Sequence, residues 1–166
     1  MTDHLSKKDR SYNMSRIRSR HTKPELILRS LLHRAGFRFR IKNKHLPGNP
    51  DIVLAKYRTI IFVHGCFWHR HQNCKRATMP KSNQSYWQEK FERNIQRDKE
   101  VKKQLSELNW QVIVAWECEI KADPVGVLKS VVSKFSGNIP QHVTYDMDRS
   151  EILKIAEKKQ HHYFNQ

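Results

Sequence analysis

Hydrophobic residues recur along the chain with helical or strand periods, and the clearest helix is predicted near the N-terminus. The run TKPE at residues 22–25 is typical of a helix start, with Thr22 as the N-cap and Glu25 completing a capping box. Gly36 is the expected end of this helix. Its apolar face follows a helical period and consists of Leu28, Leu31, Leu32 and Ala35.

Four apolar segments predict strands. Residues 37–41 alternate between apolar and basic side chains, which is the period of a half-buried strand. Residues 51–54 and 59–63 are two apolar runs separated by a short turn, and they predict a hairpin. Because the second of these runs is almost continuously apolar, it is expected to be a central strand. The fourth strand is predicted over residues 111–116.

Three further helices complete the predicted fold. A short basic helix is predicted over residues 12–20, a long helix from Ser85 to about residue 108, and a last helix from Asp123 to Gly137. In the long helix, Ser85 and Gln88 are expected to form a capping box. The fold class is therefore α/β, with a mixed central sheet flanked by helices.

The length of 166 residues suits one domain with a tail. Residues 1–21 are predicted to form a basic N-terminal arm, residues 22–137 the main domain, and residues 138–166 a polar C-terminal appendage. No apolar run approaches the length of a membrane span, and no signal-peptide pattern opens the sequence. These features exclude a membrane-spanning protein, a collagen-like fibre and a disulfide-stapled miniprotein.

The charge of the chain points to a polyanionic partner. The sequence has 32 basic and 16 acidic residues, a net charge of +16. Residues 1–44 carry a net +10 and residues 66–104 a net +6, whereas residues 105–166 carry −1. A solvated basic surface is the alternative explanation, but an excess of this size favours nucleic acid. The binding surface is accordingly expected within the first 104 residues.

The cysteines and a histidine predict a metal centre. Cys66, His71 and Cys74 have the spacing C-x4-H-x2-C, and Cys118 follows a predicted strand. Three thiolates and one imidazole suit a four-coordinate structural zinc ion, which would also order a loop that has no regular period. Two alternatives remain open at this point. The cysteines could be buried without a ligand, or the imidazole could come from His64, His69 or His162.

A second cluster predicts catalysis. Asp51 begins one strand of the hairpin and His64 ends the other, so the two side chains are expected to converge. One carboxylate, a backbone carbonyl and a phosphate oxygen would suffice for Mg²⁺, and His69 could act as a general base or acid. Considered alone, each of these residues could instead have only a structural role, Asp51 in a turn and the histidine at the end of a strand.

Two aromatic residues in the same loop suggest contact with bases. Phe67 and Trp68 lie between His64 and His69, where they could be core residues or could stack on bases and wedge between base pairs. Met14 and Ile17 on the basic N-terminal helix could insert from the other side.

At this point the sequence resembles the very-short-patch-repair (Vsr) mismatch endonucleases. The run FVHGCFWH at residues 62–69 is very similar to the family signature. The resemblance extends in consistent order over residues 10–118. It includes Asn13-Met14 with Ile17, Leu46-Pro47-Gly48 with Pro50-Asp51, Arg97-Asp98 and Trp116-Glu117-Cys118.

The resemblance implies a restriction-endonuclease-like core with a modified PD-(D/E)xK centre. It implies an enzyme that nicks double-stranded DNA 5′ to the thymine of a T·G mismatch left by deamination of 5-methylcytosine. Such an enzyme is expected to act as a monomer in the bacterial cytoplasm, associated with the nucleoid. No other repair-protein partner can be named from the sequence.

The resemblance also implies roles for individual residues. Asp51 and the backbone carbonyl of Val63 would bind the catalytic Mg²⁺, and valine keeps the carbonyl where the family usually has threonine. His69 would assist the attacking water, while His64, Glu25 and Asp98 would orient metal-bound waters. The structural Zn²⁺ would be held by Cys66, His71, Cys74 and Cys118. DNA contacts would come from intercalating and base-contacting residues, namely Met14, Ile17, Phe67, Trp68, Lys90 and Asn94.

Two other functions remain as alternatives. One is a zinc-stabilised DNA-binding module without catalysis, which would bind DNA with a steep salt dependence. The other is a restriction-like nuclease that cuts both strands of paired DNA.

Overall fold

The computed structural model of the protein describes residues 6–16, 20–41, 43 and 45–135. Three strands form one sheet: β1 (Ile52–Leu54), β2 (Thr59–His64) and β3 (Gln111–Trp116). β1 is antiparallel to β2, and β2 is parallel to β3, so the sheet is mixed with β2 at its centre. This arrangement confirms the predicted hairpin and the predicted central strand. Ile17, His162 and the appendage at 138–166 lie outside the described residues.

Five helices accompany the sheet within the described ranges. They are α1 (Lys7–Ser15), α2 (Lys23–Arg34), α3 (Gln84–Glu107), α4 (Glu117–Ala122) and α5 (Pro124–Val132). The predicted capping box of α2 is present, because the Glu25 carboxylate accepts hydrogen bonds from the backbone and hydroxyl of Thr22. Gly36 follows α2 with φ +85°, a conformation that favours glycine. No helix in the described ranges combines the length and the hydrophobicity of a membrane span.

Alternation of side chains along the strands divides the core into two layers. Ile52, Leu54 and Ile61 face α2, α4 and α5 in the larger cluster. Val53 and Ile60 face the opposite side, where Leu105 of α3 covers them. The main domain is thus a three-layer α/β/α arrangement. On the face of the sheet that packs against α3, the apolar residues are followed at the strand ends by His64 and Trp116.

Three predictions about local structure were wrong, and one short helix was missed. Residues 37–41 keep their alternating burial but form only a single bridge between Arg40 and Val53, because this extended segment meets β1 at one point. α1 begins at Lys7 and ends at Ser15 rather than covering 12–20, since Ser6 accepts a hydrogen bond from the Asp9 amide at its start. α3 begins one residue before Ser85, which therefore cannot be its N-cap. The short α4 was not predicted at all.

The candidate site residues lie at the ends of the strands, at one edge of the sheet. Asp51 immediately precedes β1, His64 ends β2, and Trp116 ends β3 directly beside His64 in the parallel register. Just before Asp51, Gly48 lies with φ +76° so close to Val101 of α3 that a Cβ there would come within 2.4 Å of the valine side chain. The turn before β1 is therefore held against α3, which fixes the position of Asp51.

Candidate active site and metal centre

A cleft of about 1250 Å³ runs along this edge of the sheet and is bordered by the N-terminal segment and by α3. The cleft contains most of the side chains that the sequence singled out. Its lining includes Met14, Glu25, Asp51, Val63, His64, Trp68, His69, Lys90, Asn94 and Asp98. Ile17 was also predicted here but lies outside the described residues. Basic side chains line the same cleft, among them Arg20, Arg29, Arg97, Lys99 and Lys102.

The side chain of Asp51 is held by one backbone hydrogen bond from β2. Its Oδ2 accepts a hydrogen bond from the Val63 amide at 2.8 Å. Within the part of the chain that the structure describes, hydrogen bonding occupies only this oxygen of the carboxylate. Oδ1 is consequently left for another partner on the cleft side of β2.

The strand register also leaves the Val63 carbonyl without its ladder donor. The N–H and C=O of Val53 both bond to Arg40, so they face away from β2. Backbone groups alternate in direction along a strand, so those of the preceding residue, Ile52, face its partner Ile61 on β2. Two residues further, the next such pair is Pro50 and Val63. Proline has no N–H, so it cannot donate to the Val63 carbonyl. The amide and the carbonyl of one strand residue point to the same side, which is the side of Asp51.

The surroundings of Asp51 disfavour its charged form relative to a free carboxyl group. Burial, followed by the negative charge of Glu25, raises the pKa of Asp51 to about 6. The Val63 hydrogen bond and the Arg29 guanidinium act in the opposite direction but do not cancel this rise. A bound divalent cation would replace the missing solvation and favour the carboxylate.

Arg29 is a site residue that the sequence reasoning missed. Its Nη2 donates to the Glu25 carboxylate at 2.9 Å and to the Asp51 carbonyl at 3.0 Å, and its Nη1 lies 3.1 Å from Nδ1 of His21. The side chain is only 9% exposed. The spacing of Glu25 and Arg29, four apart within the apolar run of α2, is the signal that could have indicated a buried pair.

His64, His69 and Asp98 form a compact group on the α3 face of the sheet. The two imidazole rings stack with centroids 3.7 Å apart and planes 14° apart. Nδ1 of His69 lies 2.5 Å from Oδ2 of Asp98 on α3. An ionised carboxylate only accepts hydrogen bonds, so His69 must donate from Nδ1, which leaves Nε2 to accept a proton.

The pKa shift of Asp98 agrees with an ionised carboxylate that accepts from Nδ1 of His69. Burial would raise the pKa of Asp98, but the hydrogen bond from His69 and the positive charge around the carboxylate lower it below its ordinary value. Burial and the nearby His69 lower the pKa of His64 to about 4. Asp98 is therefore ionised and His64 is neutral near pH 7.

The predicted metal centre is assembled from the loop after β2 and the first turn of α4. The three Sγ atoms and a ring nitrogen all lie within 4.8 Å of one another, and they belong to Cys66, His71, Cys74 and Cys118. Nδ1 of His71 lies 3.2 Å from Sγ of Cys118 and 3.7 Å from Sγ of Cys66. This donor set can hold a metal ion. His64 and His69 instead belong to the group with Asp98, and His162 lies outside the described residues.

The aromatic residues of the loop pack together beside α3. Phe67 makes edge contacts with Trp68, Trp87 and Phe91 at centroid distances of 5.1–5.4 Å. Phe67 and Trp68 remain half-buried, while Met14 is 43% exposed across the cleft. Asn94 is buried and donates to the Trp68 carbonyl at 3.0 Å, and Lys90 lies one turn earlier on α3. Trp87 was not predicted as part of this cluster.

A family model and the sequences of known proteins indicate the same family for this chain. The family model of the DNA mismatch endonuclease Vsr matches residues 2–76. The Type II nicking enzyme V.XorIIP of Xanthomonas oryzae pv. oryzae is 48% identical over 120 residues, covering 72% of this chain and 88% of the relative. The DNA mismatch endonuclease Vsr of Escherichia coli is 42% identical over 121 residues, covering 73% of this chain and 77% of the relative. The chain belongs to the Vsr DNA mismatch endonuclease family. Vsr membership confirms the resemblance noted in the sequence, and with it the prediction of a DNA endonuclease.

Proposed function

We propose that the protein is a Mg²⁺-dependent, strand-specific endonuclease that nicks double-stranded DNA 5′ to the thymine of T·G mismatches. Such mismatches arise when 5-methylcytosine deaminates. The observation that carries the proposal is the convergence of Asp51, His64, His69 and Asp98 in one cleft with a basic lining. We further propose a restriction-endonuclease-like core, with Pro50-Asp51 as its PD element, acting as a monomer on nucleoid DNA in the bacterial cytoplasm.

Asp51 and the Val63 carbonyl would hold the Mg²⁺. Both donors are oxygens, as a hard cation requires, and the geometry of Pro50 and Val63 supports the availability of the second one. When bound, the ion neutralises charge on the scissile phosphate and lowers the pKa of coordinated water. Glu25 and Arg29 would fix the backbone of Asp51 through the contact of Arg29 with its carbonyl.

His69 would accept a proton from the attacking water at Nε2. Asp98 keeps the required tautomer by accepting from Nδ1, and the neutral His64 ring supports the orientation of His69 by stacking. Glu25, His64 and Asp98 would thus act mainly by orienting groups, including waters, around the phosphate. The basic residues that line the cleft would bind the neighbouring phosphates.

Recognition would use wedging from two sides of the cleft. Phe67 and Trp68 would insert next to the mismatch from the loop, with Met14 and Ile17 opposing them from the N-terminal arm. A mismatched step is easier to unstack than a paired one, so wedging favours mismatches. Lys90 and Asn94 would contact the mispaired bases. Because one amide hydrogen of Asn94 is used by Trp68, base contact by Asn94 would involve its remaining polar atoms.

Zn²⁺ would occupy the Cys/His centre. Three thiolates and one imidazole are the donor set that zinc prefers in structural sites, and the sequence contains no other cysteine. The ion would order the loop at 65–83, which carries Phe67, Trp68 and His69 and contains no helix or strand.

A set of labelled duplexes that differ only at one base pair tests the proposal. With Mg²⁺, we expect one nick in a T·G duplex and a rate at least about 100-fold lower in the matched duplex, the size of effect produced by 2–3 kcal/mol of differential binding. Salt-sensitive binding without product in every duplex would support the non-catalytic module instead. Cleavage of both strands of the matched duplex would support the restriction-like alternative.

A further inference from the structure

We propose that Trp116 is a positioning residue for the catalytic histidines. It rests between the two clusters of the site, and nothing in its sequence context predicts this role. The catalytic role of the histidines rests on the proposed function, whereas the ring contacts of Trp116 do not depend on the reaction.

The indole ring of Trp116 is anchored by the metal centre. It stacks on the His71 ring with centroids 4.0 Å apart and planes only 5° apart. His71 is itself oriented by its Nδ1, which faces Sγ of Cys118 at 3.2 Å. Cys118 lies two residues after Trp116, so the start of α4 holds the indole and the thiol in one short segment. The orientation of the indole is therefore fixed on this side.

The indole also meets the group of His64, His69 and Asp98. The register of the parallel strands pairs Trp116 with His64, and their rings meet nearly perpendicularly, with centroids 5.5 Å apart and planes 76° apart. His64 then stacks on His69, which donates to Asp98. A continuous series of ring contacts thus runs from the metal centre to the residue proposed as the general base.

One other ring, that of Phe62, limits His64 less strongly. Phe62 lies on the same face of β2 but is tilted, with its centroid 5.9 Å away. Removal of Trp116 would therefore leave His64 without its perpendicular neighbour and free to change rotamer, and the His69 ring would lose a fixed stacking partner. Since small displacements of a catalytic group cost large factors in rate, the loss should appear in kcat.

The test compares Trp116→Ala and Trp116→Phe with Trp110→Ala as a matched control. Trp110 precedes the same strand at its other end, where it packs on Leu105 and under the Arg58 guanidinium. For Trp116→Ala we expect a kcat about 10- to 100-fold lower, with the DNA dissociation constant and the bound metal almost unchanged. Trp116→Phe should restore much of kcat, and Trp110→Ala should lose stability without this loss of kcat.

The NMR signals of the histidine ring protons provide a readout that does not require nicking. In the unmodified protein the indole should shift the ring protons of His71 and His64, and in Trp116→Ala the signals of His64 and His69 should both move. Unchanged His69 signals together with an unchanged kcat would overturn the proposal. Loss of bound metal in Trp116→Phe would also overturn it, since the indole would then serve the metal centre rather than the histidines. Failure of the unmodified protein to nick any duplex would count against the proposed function, while the resonances would still test the placement.

Discussion

Replacing Asp51 by asparagine is expected to abolish nicking and, at the same time, to make the protein more stable at neutral pH. Asparagine can still accept the Val63 hydrogen bond, but it has no charge to bind Mg²⁺. Removal of the ligand should lower kcat by at least about 1000-fold, comparable with losing a major electrostatic contribution to catalysis. DNA binding should persist because the basic lining of the cleft is unchanged.

The gain in stability follows from the pKa of Asp51. A buried acid whose pKa rises from 3.8 to about 6 on folding binds its proton more tightly in the folded state. Its contribution to stability is present below pH 3.8 and is lost as the pH rises through about 6. Asparagine avoids this loss, so at pH 8 the variant should be more stable by about 1–3 kcal/mol. The difference should disappear near pH 4.

Denaturant unfolding with and without Mg²⁺ measures both effects. If Asp51 is a ligand of the ion, as we propose, Mg²⁺ should stabilise the unmodified protein but not Asp51→Asn. Asp123→Asn is the matched control, since Asp123 caps α5 far along the chain and accepts from the Gly126 amide. This control should keep nicking and its Mg²⁺ response. Full nicking by Asp51→Asn would contradict the assignment of Asp51.

The loss of nicking activity at acid pH should follow the protonation of Asp51. As the pH falls, protonation of Asp51 competes with Mg²⁺, so activity should decline below about pH 6 and should recover in part when the Mg²⁺ concentration is raised.

Loss of the metal centre is the second large effect that we expect. Cys118→Ser removes one of four donors, and metal analysis should find that the variant no longer retains the ion. Because the binding energy of a structural ion is also folding energy, the variant should lose about 4 kcal/mol or more. Nicking should be lost as well, since the loop at 65–83 carries His69, Phe67 and Trp68.

A second ligand variant makes this test specific. His71→Ala should lose the ion as Cys118→Ser does, whereas His33→Ala, at an exposed position of α2, should keep it. Metal analysis that finds no zinc in the unmodified protein would refute the zinc assignment. Retention of zinc by both ligand variants would show that other residues hold the ion.

Much of the fold was predictable because its signals are local. The capping box at Thr22 and Glu25 fixes the start of α2, and the two apolar runs around 55–58 can only form a hairpin. That hairpin in turn predicted that Asp51 and His64 lie at the same edge of the sheet. In contrast, the alternation at 37–41 gave the correct burial but not a strand, because strand pairing depends on a partner edge that the segment meets only at Arg40.

The contacts that complete the site could not be obtained from spacing. Arg29 appears in the sequence as an ordinary helix charge, and only the tertiary fold brings it to the Asp51 carbonyl. Trp116 appears as the last residue of an apolar strand, and its stacking on His71 requires the loop and α4 to be in place. The pairing of His69 with Asp98 likewise joins residues that are 29 positions apart.

The most direct test of the central claim is the position of the nick. A duplex with one T·G mismatch, labelled in turn on each strand, is incubated with the protein and Mg²⁺, and the products are mapped to single-nucleotide resolution. The proposed function predicts one break, in the strand that contains the mismatched thymine, on the 5′ side of that thymine. A break in the guanine strand, breaks in both strands, or the same product from the matched duplex would contradict it.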